Sequence, residues 1–163
     1  MTFDPTSLPP SALRVSGILE SLGHSGEVTM LADSARTAAE AAAALGCSVA
    51  EIAKSIVFRR RSDDAAVVVI TSGDNRVDGT KVAALAGEVG KADADFVREA
   101  TGYAIGGVSP VGHPEATVLL VDRDLFRFET IWAAAGHPYA VFPLTPTQLV
   151  DWLGVEAEDV RVD

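Results

Sequence analysis

The residues best suited to chemistry lie in Thr101-Gly-Tyr-Ala-Ile-Gly-Gly-Val-Ser-Pro-Val-Gly-His-Pro114, which packs four glycines, two prolines and one serine into fourteen positions. Gly106-Gly107 opens backbone dihedrals closed to other residues, and Pro110 then fixes the chain again. Such a loop can turn several N–H groups into one concavity suited to a carbonyl oxygen, an oxyanion or a phosphate. The same composition also makes an ordinary tight turn. Lys54 is the second candidate, because Ile52-Ala-Lys-Ser-Ile-Val-Phe58 surrounds it with apolar residues. Either it snorkels to solvent, or it stands beside a pocket as a fixed cation. The turn Thr71-Ser-Gly-Asp-Asn-Arg76 could line a pocket through Ser72, Asn75 or Arg76, or simply be well capped. Asp122 reads as a helix cap or as a pocket carboxylate.

Other chemistries find no pattern. His24, His113 and His137 are far apart, and no Cys-x-x-Cys or His-x-x-x-His spacing exists. No Gly-Lys-Ser/Thr follows Gly106-Gly107, and no Gly-x-Ser-x-Gly is present. Cys47 follows a helix end and reads as a small apolar filler.

The elements that must position these residues read as follows. Pro9-Pro10-Ser11 opens a helix to about Leu22, ended by Gly23. Glu27–Leu31 is a short strand. Ser34 caps an Ala-rich helix to Leu45, stopped by Gly46, and Val49–Ala53 is one further helical turn. Ser55–Arg61 and Ala65–Thr71 are β-branched runs joined by Ser62-Asp63-Asp64, a hairpin whose second strand is buried on both faces. Asp78 caps a helix through Ala86, and Asp93 or Asp95 opens another through Thr101. After the glycine loop come a strand over Glu115–Asp122, a short strand and helical turn within Phe126–Ala135, a strand over Tyr139–Phe142, a capped helix over Thr145–Leu153 and an extended end from Val155 to Val162. Helices and strands mix without βαβ alternation. The expectation is an α+β fold: a mixed, mostly antiparallel sheet or small barrel flanked by helices.

The chain has 163 residues, 48% hydrophobic and 6% aromatic, so one domain with a core of Ala, Val, Leu and Ile is expected, residues 1–8 being loose. There is no apolar run of membrane-spanning length and no visible signal peptide, and one cysteine suits a reducing cytoplasm. A net charge of −10 argues against broad nucleic-acid binding. Arg59, Arg60 and Arg61 are nevertheless consecutive, with Lys54, Arg76, Lys81 and Lys91 near them in sequence. They form either a solvated strand end or a patch facing a phosphate backbone.

Ile52-Ala-Lys-Ser-Ile-Val-Phe58, Thr71-Ser-Gly-Asp-Asn-Arg-Val-Asp78, Lys81-Val-Ala-Ala-Leu85, Thr101–Gly112 and Leu120-Val-Asp122, in this order, resemble the YbaK / prolyl-tRNA synthetase editing-domain superfamily over about residues 10–155. The resemblance implies a mixed-sheet barrel and a free-standing aminoacyl-tRNA deacylase with no metal or organic cofactor. Its substrate would be a tRNA acceptor end, often tRNA-Pro, carrying a small wrong amino acid such as Ala or Cys. Some members of that superfamily receive the substrate from a synthetase or elongation factor. The family lysine maps onto Lys54, and the family Gly-x-x-x-Pro loop onto Gly106, Gly107, Val108, Ser109 and Pro110. Backbone amides of that loop would bind the ester carbonyl. Met30, Ser55, Ser72, Tyr103 and Ile105 are expected near a size-selective pocket, and Asn75, Arg76, Gly112, His113 and Asp122 complete the expected substrate-binding set. Ser109 resembles the Gly-Gly-x-Ser-Pro form of the YbaK branch, whereas Val111-Gly112-His113 also occurs in other free-standing members. The rival reading is a non-catalytic module that binds an aminoacyl-tRNA or small ligand with the same fold. A second rival is hydrolysis of an ester that is not carried by tRNA.

Overall fold

A computed structural model describes residues 4–32 and 37–163. The β-branched hairpin is the centre of the sheet: β2 (Ile52–Arg60) and β3 (Ala66–Ser72) pair antiparallel over seven residue pairs from Ala53↔Ser72 to Arg59↔Ala66. Every residue of β3 is buried. Val68 and Ile70 face the larger core, and Val67 and Val69 face a smaller one. Each such valine contributes about 1.5–3 kcal/mol of burial, which explains the unbroken apolar run.

The larger core receives Ala12, Val15 and Leu19 of α1 (Pro10–Ser21) and Leu149 of α5 (Pro146–Leu153). The smaller receives Val82 and Ala86 of α3 (Gly79–Ala86). Two further helices, α2 (Ala38–Leu45) and α4 (Ala94–Thr101), complete the five found among the described residues. Ahead of α1, Leu8 is buried in the larger core and Pro5–Ser7 makes a 3-10 turn. The cap assigned to Ser34 lies outside the described residues. The cap seen on α2 is Thr37, which accepts from the Glu40 N–H.

The sheet is mixed and open, and most of its pairings are antiparallel. Its order is β1 (Thr29–Met30), β7 (Ala140–Leu144), β6 (Ile131–Ala134), β2, β3, β5 (Val118–Asp122) and β8 (Ala157–Glu158). Off this path, β4 (Val89–Lys91) pairs with β2. One detail decides where a site can form. On the side of β2 away from β3, β6 pairs only with Ile52 and Ala53, and β4 only with Phe58, Arg59 and Arg60. Among the described residues, Lys54–Val57 therefore keeps one edge without a strand partner, and every second residue there presents its backbone polar groups to the gap.

The far ends of β3 and β5 are clamped by one carboxylate. Asp122 is 1% exposed. Its Oδ2 accepts from the Thr71 hydroxyl at 2.8 Å, the Ser72 N–H at 3.1 Å and the Asn75 amide at 2.8 Å. Its Oδ1 accepts from the Asp124 N–H at 2.9 Å and so caps the 3-10 turn Arg123–Arg127. Asp122→Ala would take this acceptor from the Thr71 hydroxyl and the Ser72 and Asp124 N–H groups, the first two buried, and leave Asn75 only its bond to Asp124 Oδ2. The expected cost is about 2–4 kcal/mol, read as a lower urea midpoint; a midpoint unchanged from wild type would show that the clamp is not structural.

Candidate functional site

The unpaired stretch of β2 opens onto a cavity of about 310 Å³ lined by Lys54, Ser55, Ile56, Ile105, Gly106 and Val108. Trp132 and Ala134 of β6, Val141 of β7, Pro138 and the start of α2 close it. Consecutive strand residues leave opposite faces, yet Lys54 and Ser55 both reach this hollow because it lies at the strand edge. Lys54 is half-buried, and its Nζ makes a long contact of 3.4 Å with the Gly73 carbonyl. Lys54 lines the pocket, and this long contact is its side chain's one hydrogen bond among the described residues. It is the cavity's sole charged lining residue among those described. The Ser55 Oγ is buried and has no hydrogen-bond partner among the described residues, so a polar ligand atom would meet an unsatisfied hydroxyl.

The glycine loop forms the opposite wall. Gly106 has φ +87°. The Gly107 N–H donates to the Ala104 carbonyl at 2.9 Å and closes a turn. That amide is therefore spent inside the loop, contrary to the expectation that it faces a ligand. The Gly106 and Val108 N–H groups meet no acceptor among the described residues, and both residues line the cavity. Gly107 serves packing instead. A Cβ there would lie 3.0 Å from three backbone atoms of His137.

The rest of the loop is braced from behind. The buried Tyr103 donates its hydroxyl to the Val111 carbonyl at 2.7 Å, and Arg14 of α1 donates to the Gly112 carbonyl at 2.9 Å. His113 Nε2 lies 2.6 Å from the Ser109 carbonyl, so that nitrogen carries the proton. Its Nδ1 is buried without a partner among the described residues. Burial pushes the His113 pKa below its ordinary value and raises that of Tyr103.

Lys54, Ser55, Ile105, Gly106 and Val108 are thus brought together. Tyr103, Ser109, Pro110, Gly112 and His113 do not line the cavity, although they build the loop that does. Ser72, Asn75 and Asp122 belong to the clamp between β3 and β5, so for Asp122 the cap is the correct reading and the pocket carboxylate is not. Arg76 is exposed, away from the cavity, and its carbonyl accepts from the Val162 N–H at 2.8 Å. Met30 is also exposed, on the edge strand β1. Ile56, Trp132, Ala134, Pro138 and Val141 escaped the sequence reading. They reach the cavity through non-local strand pairing, for which the sequence gives no local signal. His137, beside Gly107, was also passed over as a lone histidine.

Residues 32–152 match the family model described as the aminoacyl-tRNA editing domain. The chain belongs to the aminoacyl-tRNA editing domain family. It is 32% identical to the uncharacterized protein YwhH of Bacillus subtilis (strain 168), over 77% of this chain and 80% of that one. It is 40% identical to a stretch of the proline–tRNA ligase of Leuconostoc mesenteroides, over 48% of this chain but 14% of that longer enzyme. A solved structure of a candidate trans-editing enzyme for prolyl tRNA synthetase superposes with a TM-score of 0.88 at 42% identity, covering 96% of this chain and 99% of the other. The fold of this editing domain is accordingly the one its neighbours share.

Two tests follow from the loop's construction. Gly107→Ala must push the loop off the His137 backbone, so a loss of about 1–3 kcal/mol is expected in urea unfolding; a wild-type midpoint would mean that the backbone yields freely. His113 is held below its unfolded value of 6.5, so the folded state binds fewer protons than the unfolded one. This group's contribution to stability is full above pH 6.5, falls as pH drops through that value, and levels off below the folded pKa. Melting temperature should therefore decline more steeply from pH 7 to pH 5 in wild type than in His113→Gln. Parallel curves would contradict the assignment.

Proposed function

We propose that this editing domain acts in trans as an esterase, removing a small wrong amino acid such as Ala or Cys from mischarged tRNA-Pro. The observation that carries this reading is the cavity itself: among the described residues its mostly apolar lining holds one ammonium, no carboxylate, and two residues, Gly106 and Val108, whose N–H groups meet no acceptor. The likeness to a candidate trans-editing enzyme for prolyl tRNA synthetase supports the same substrate class.

In this mechanism Lys54 holds a phosphate or the aminoacyl end of the terminal nucleotide in register. The Gly106 and Val108 N–H groups donate to the ester carbonyl oxygen and stabilise the oxyanion that forms on it. Water attacks the carbonyl carbon. The tetrahedral intermediate collapses, the bond to the ribose oxygen breaks, and the neighbouring ribose hydroxyl relays the water proton to that leaving oxygen. The products are a free amino acid and tRNA. An ester of this kind is already activated, which is consistent with a cavity that has no general base among its described lining residues. A cysteinyl ester can instead be attacked by its own thiol: a C–S bond forms, the bond to the ribose oxygen breaks, the thiol proton passes to that oxygen, and the product is a cyclic thioester that water later opens to the free amino acid. The side chain is selected by clash with the apolar wall of Ile56, Val108 and Trp132.

Lys54→Ala is expected to lower kcat/KM for deacylation roughly 10²–10³-fold, with an unchanged melting temperature, since it removes a charge that acts at the reacting end. Ala-, Cys- and Ser-charged tRNA-Pro supply the assay. Wild-type rates in the variant would overturn the lysine's role. Stoichiometric binding without turnover on all three substrates would favour the non-catalytic module.

A further inference from the structure

The hollows beside β2 lie in sequence order along one strand. The candidate catalytic cavity touches residues 52–56. An apolar groove of about 160 Å³ comes next, sharing Ser55, Ile56 and Ile105 with that cavity and adding Val57, Ala92 and Val97. A third hollow of about 280 Å³ follows, lined by Arg59, Arg61 and Lys91 with Asp64 and Gly90. We infer that the open edge of β2 at Lys54–Val57, continued over the β2–β4 pair where Arg61 and Lys91 stand, is the track for the single-stranded 3′ end of an RNA, with those two cations gripping its phosphates upstream of the terminal nucleotide. The inference rests on the proposed function only for direction, which puts the 3′ terminus at Lys54.

Charge, shape and length each support it. The body carries −10, so an RNA strand is repelled except where cations are concentrated. Arg59 is not one of the free ones. It pairs with Asp64 at 2.8 Å, and Asp93 and Glu99 lie close enough to add negative potential. Its guanidinium stands over the Phe96 ring, 5.0 Å from the ring centre, and Arg and aromatic side chains of this kind are the ones on which bases stack. Arg60 pairs with Asp63 at 2.8 Å. Arg61 and Lys91 meet no carboxylate among the described residues. The Arg61 guanidinium is laid along the backbone of Gly90, where a Cβ would come within 3.2 Å of it. A glycine there keeps the cation flat against the sheet. Between the two ends the groove has no charge, and Ile105 stands 56% exposed at the junction of cavity and groove. An exposed apolar ledge suits a base better than water. From Lys54 to Arg60 the strand runs about 20 Å, at roughly 3.3–3.4 Å per residue, which is room for several nucleotides of extended strand.

The test is fluorescence anisotropy of a labelled tRNA-Pro acceptor minihelix with its single-stranded 3′ end, titrated with the full protein between 50 and 200 mM salt. Arg61→Glu/Lys91→Glu should bind roughly tenfold more weakly at 0.1 M salt, and its log–log salt slope should be smaller by about 1.4, the value for two single-strand phosphate contacts. Its melting temperature should be unchanged. Arg123→Glu, at the end of β5, should bind as wild type does. Wild-type binding by the double variant would overturn the track and redirect the basic hollow to an acidic protein. Equal weakening by Arg123→Glu would also overturn it, as a general charge effect. The catalytic reading fails separately. A wild-type protein that grips RNA through Arg61 and Lys91 yet leaves the aminoacyl ester intact sinks the esterase and leaves the track standing. Deacylation of full tRNA by the double variant at the wild-type kcat/KM sinks the track alone.

Discussion

The site exists because β2 is incompletely paired. A strand in mid-sheet normally has both edges saturated, and unpaired backbone groups are costly when buried. Here β6 leaves β2 after Ala53, and β4 joins it only at Phe58. The four residues between are held rigidly by β3 on one side and open on the other. That arrangement gives a ligand a firm wall and unsatisfied polar groups in one place. The glycine loop covers the opening without pairing to it, because Gly107 closes its own turn and Tyr103, Arg14 and His113 hold the loop from behind. Position is thus set by the braces, which leave the Gly106 and Val108 N–H groups without an acceptor among the described residues.

The same logic links Asp122 to Lys54 at one remove. Asp122 holds the end of β3 and its turn through Thr71, Ser72 and Asn75. That turn presents the Gly73 carbonyl to the Lys54 ammonium. A lysine near apolar walls would otherwise swing to solvent along its flexible stem. A contact of 3.4 Å is weak by itself, but it biases the ammonium toward the cavity side of the strand without neutralising it, as a carboxylate partner would. An ammonium that keeps its full charge is the more useful one for an incoming phosphate.

Local chemistry made much of this fold legible. Asp78, Asp93 and Thr145 cap their helices as their types and spacing indicate, and Gly46 and Gly154 end theirs in left-handed conformations. The buried β3 followed from its valine run. What failed was set by distant partners. Ile52 and Ala53 look like part of a helical turn, yet β6 recruits them into β2, and the 3-10 turn stops at Glu51. Val89-Gly-Lys91 has too few residues and a central glycine, so nothing in it announces a strand until β2 lies beside it. The site shows the same division. Lys54 and the glycine loop were visible because unusual residue types sit in unusual surroundings. Trp132, Ala134 and Val141 were not, since an apolar residue in a strand looks alike whether it faces core or cavity. Ser72 and Asn75 misled for the opposite reason: polar residues at a strand end suggest a pocket, and here they satisfy one buried carboxylate.

The acidic body and an RNA substrate are compatible once the contact is narrow. Long-range repulsion lowers the encounter rate and rises as salt is removed, so a protein of this charge gains nothing from covering a tRNA. Its advantage lies in touching only the end that differs. A correctly charged and a mischarged tRNA share every phosphate and differ at one side chain, so affinity gained along the strand is common to both and confers no selectivity. Selection must then come from the cavity, whose walls include Ile56, Val108 and Trp132. A weak grip with a short residence leaves correct substrates free to depart intact. On this argument the scarcity of free cations along β2 suits an editor better than a long basic face would, because tighter binding would slow release without sharpening discrimination.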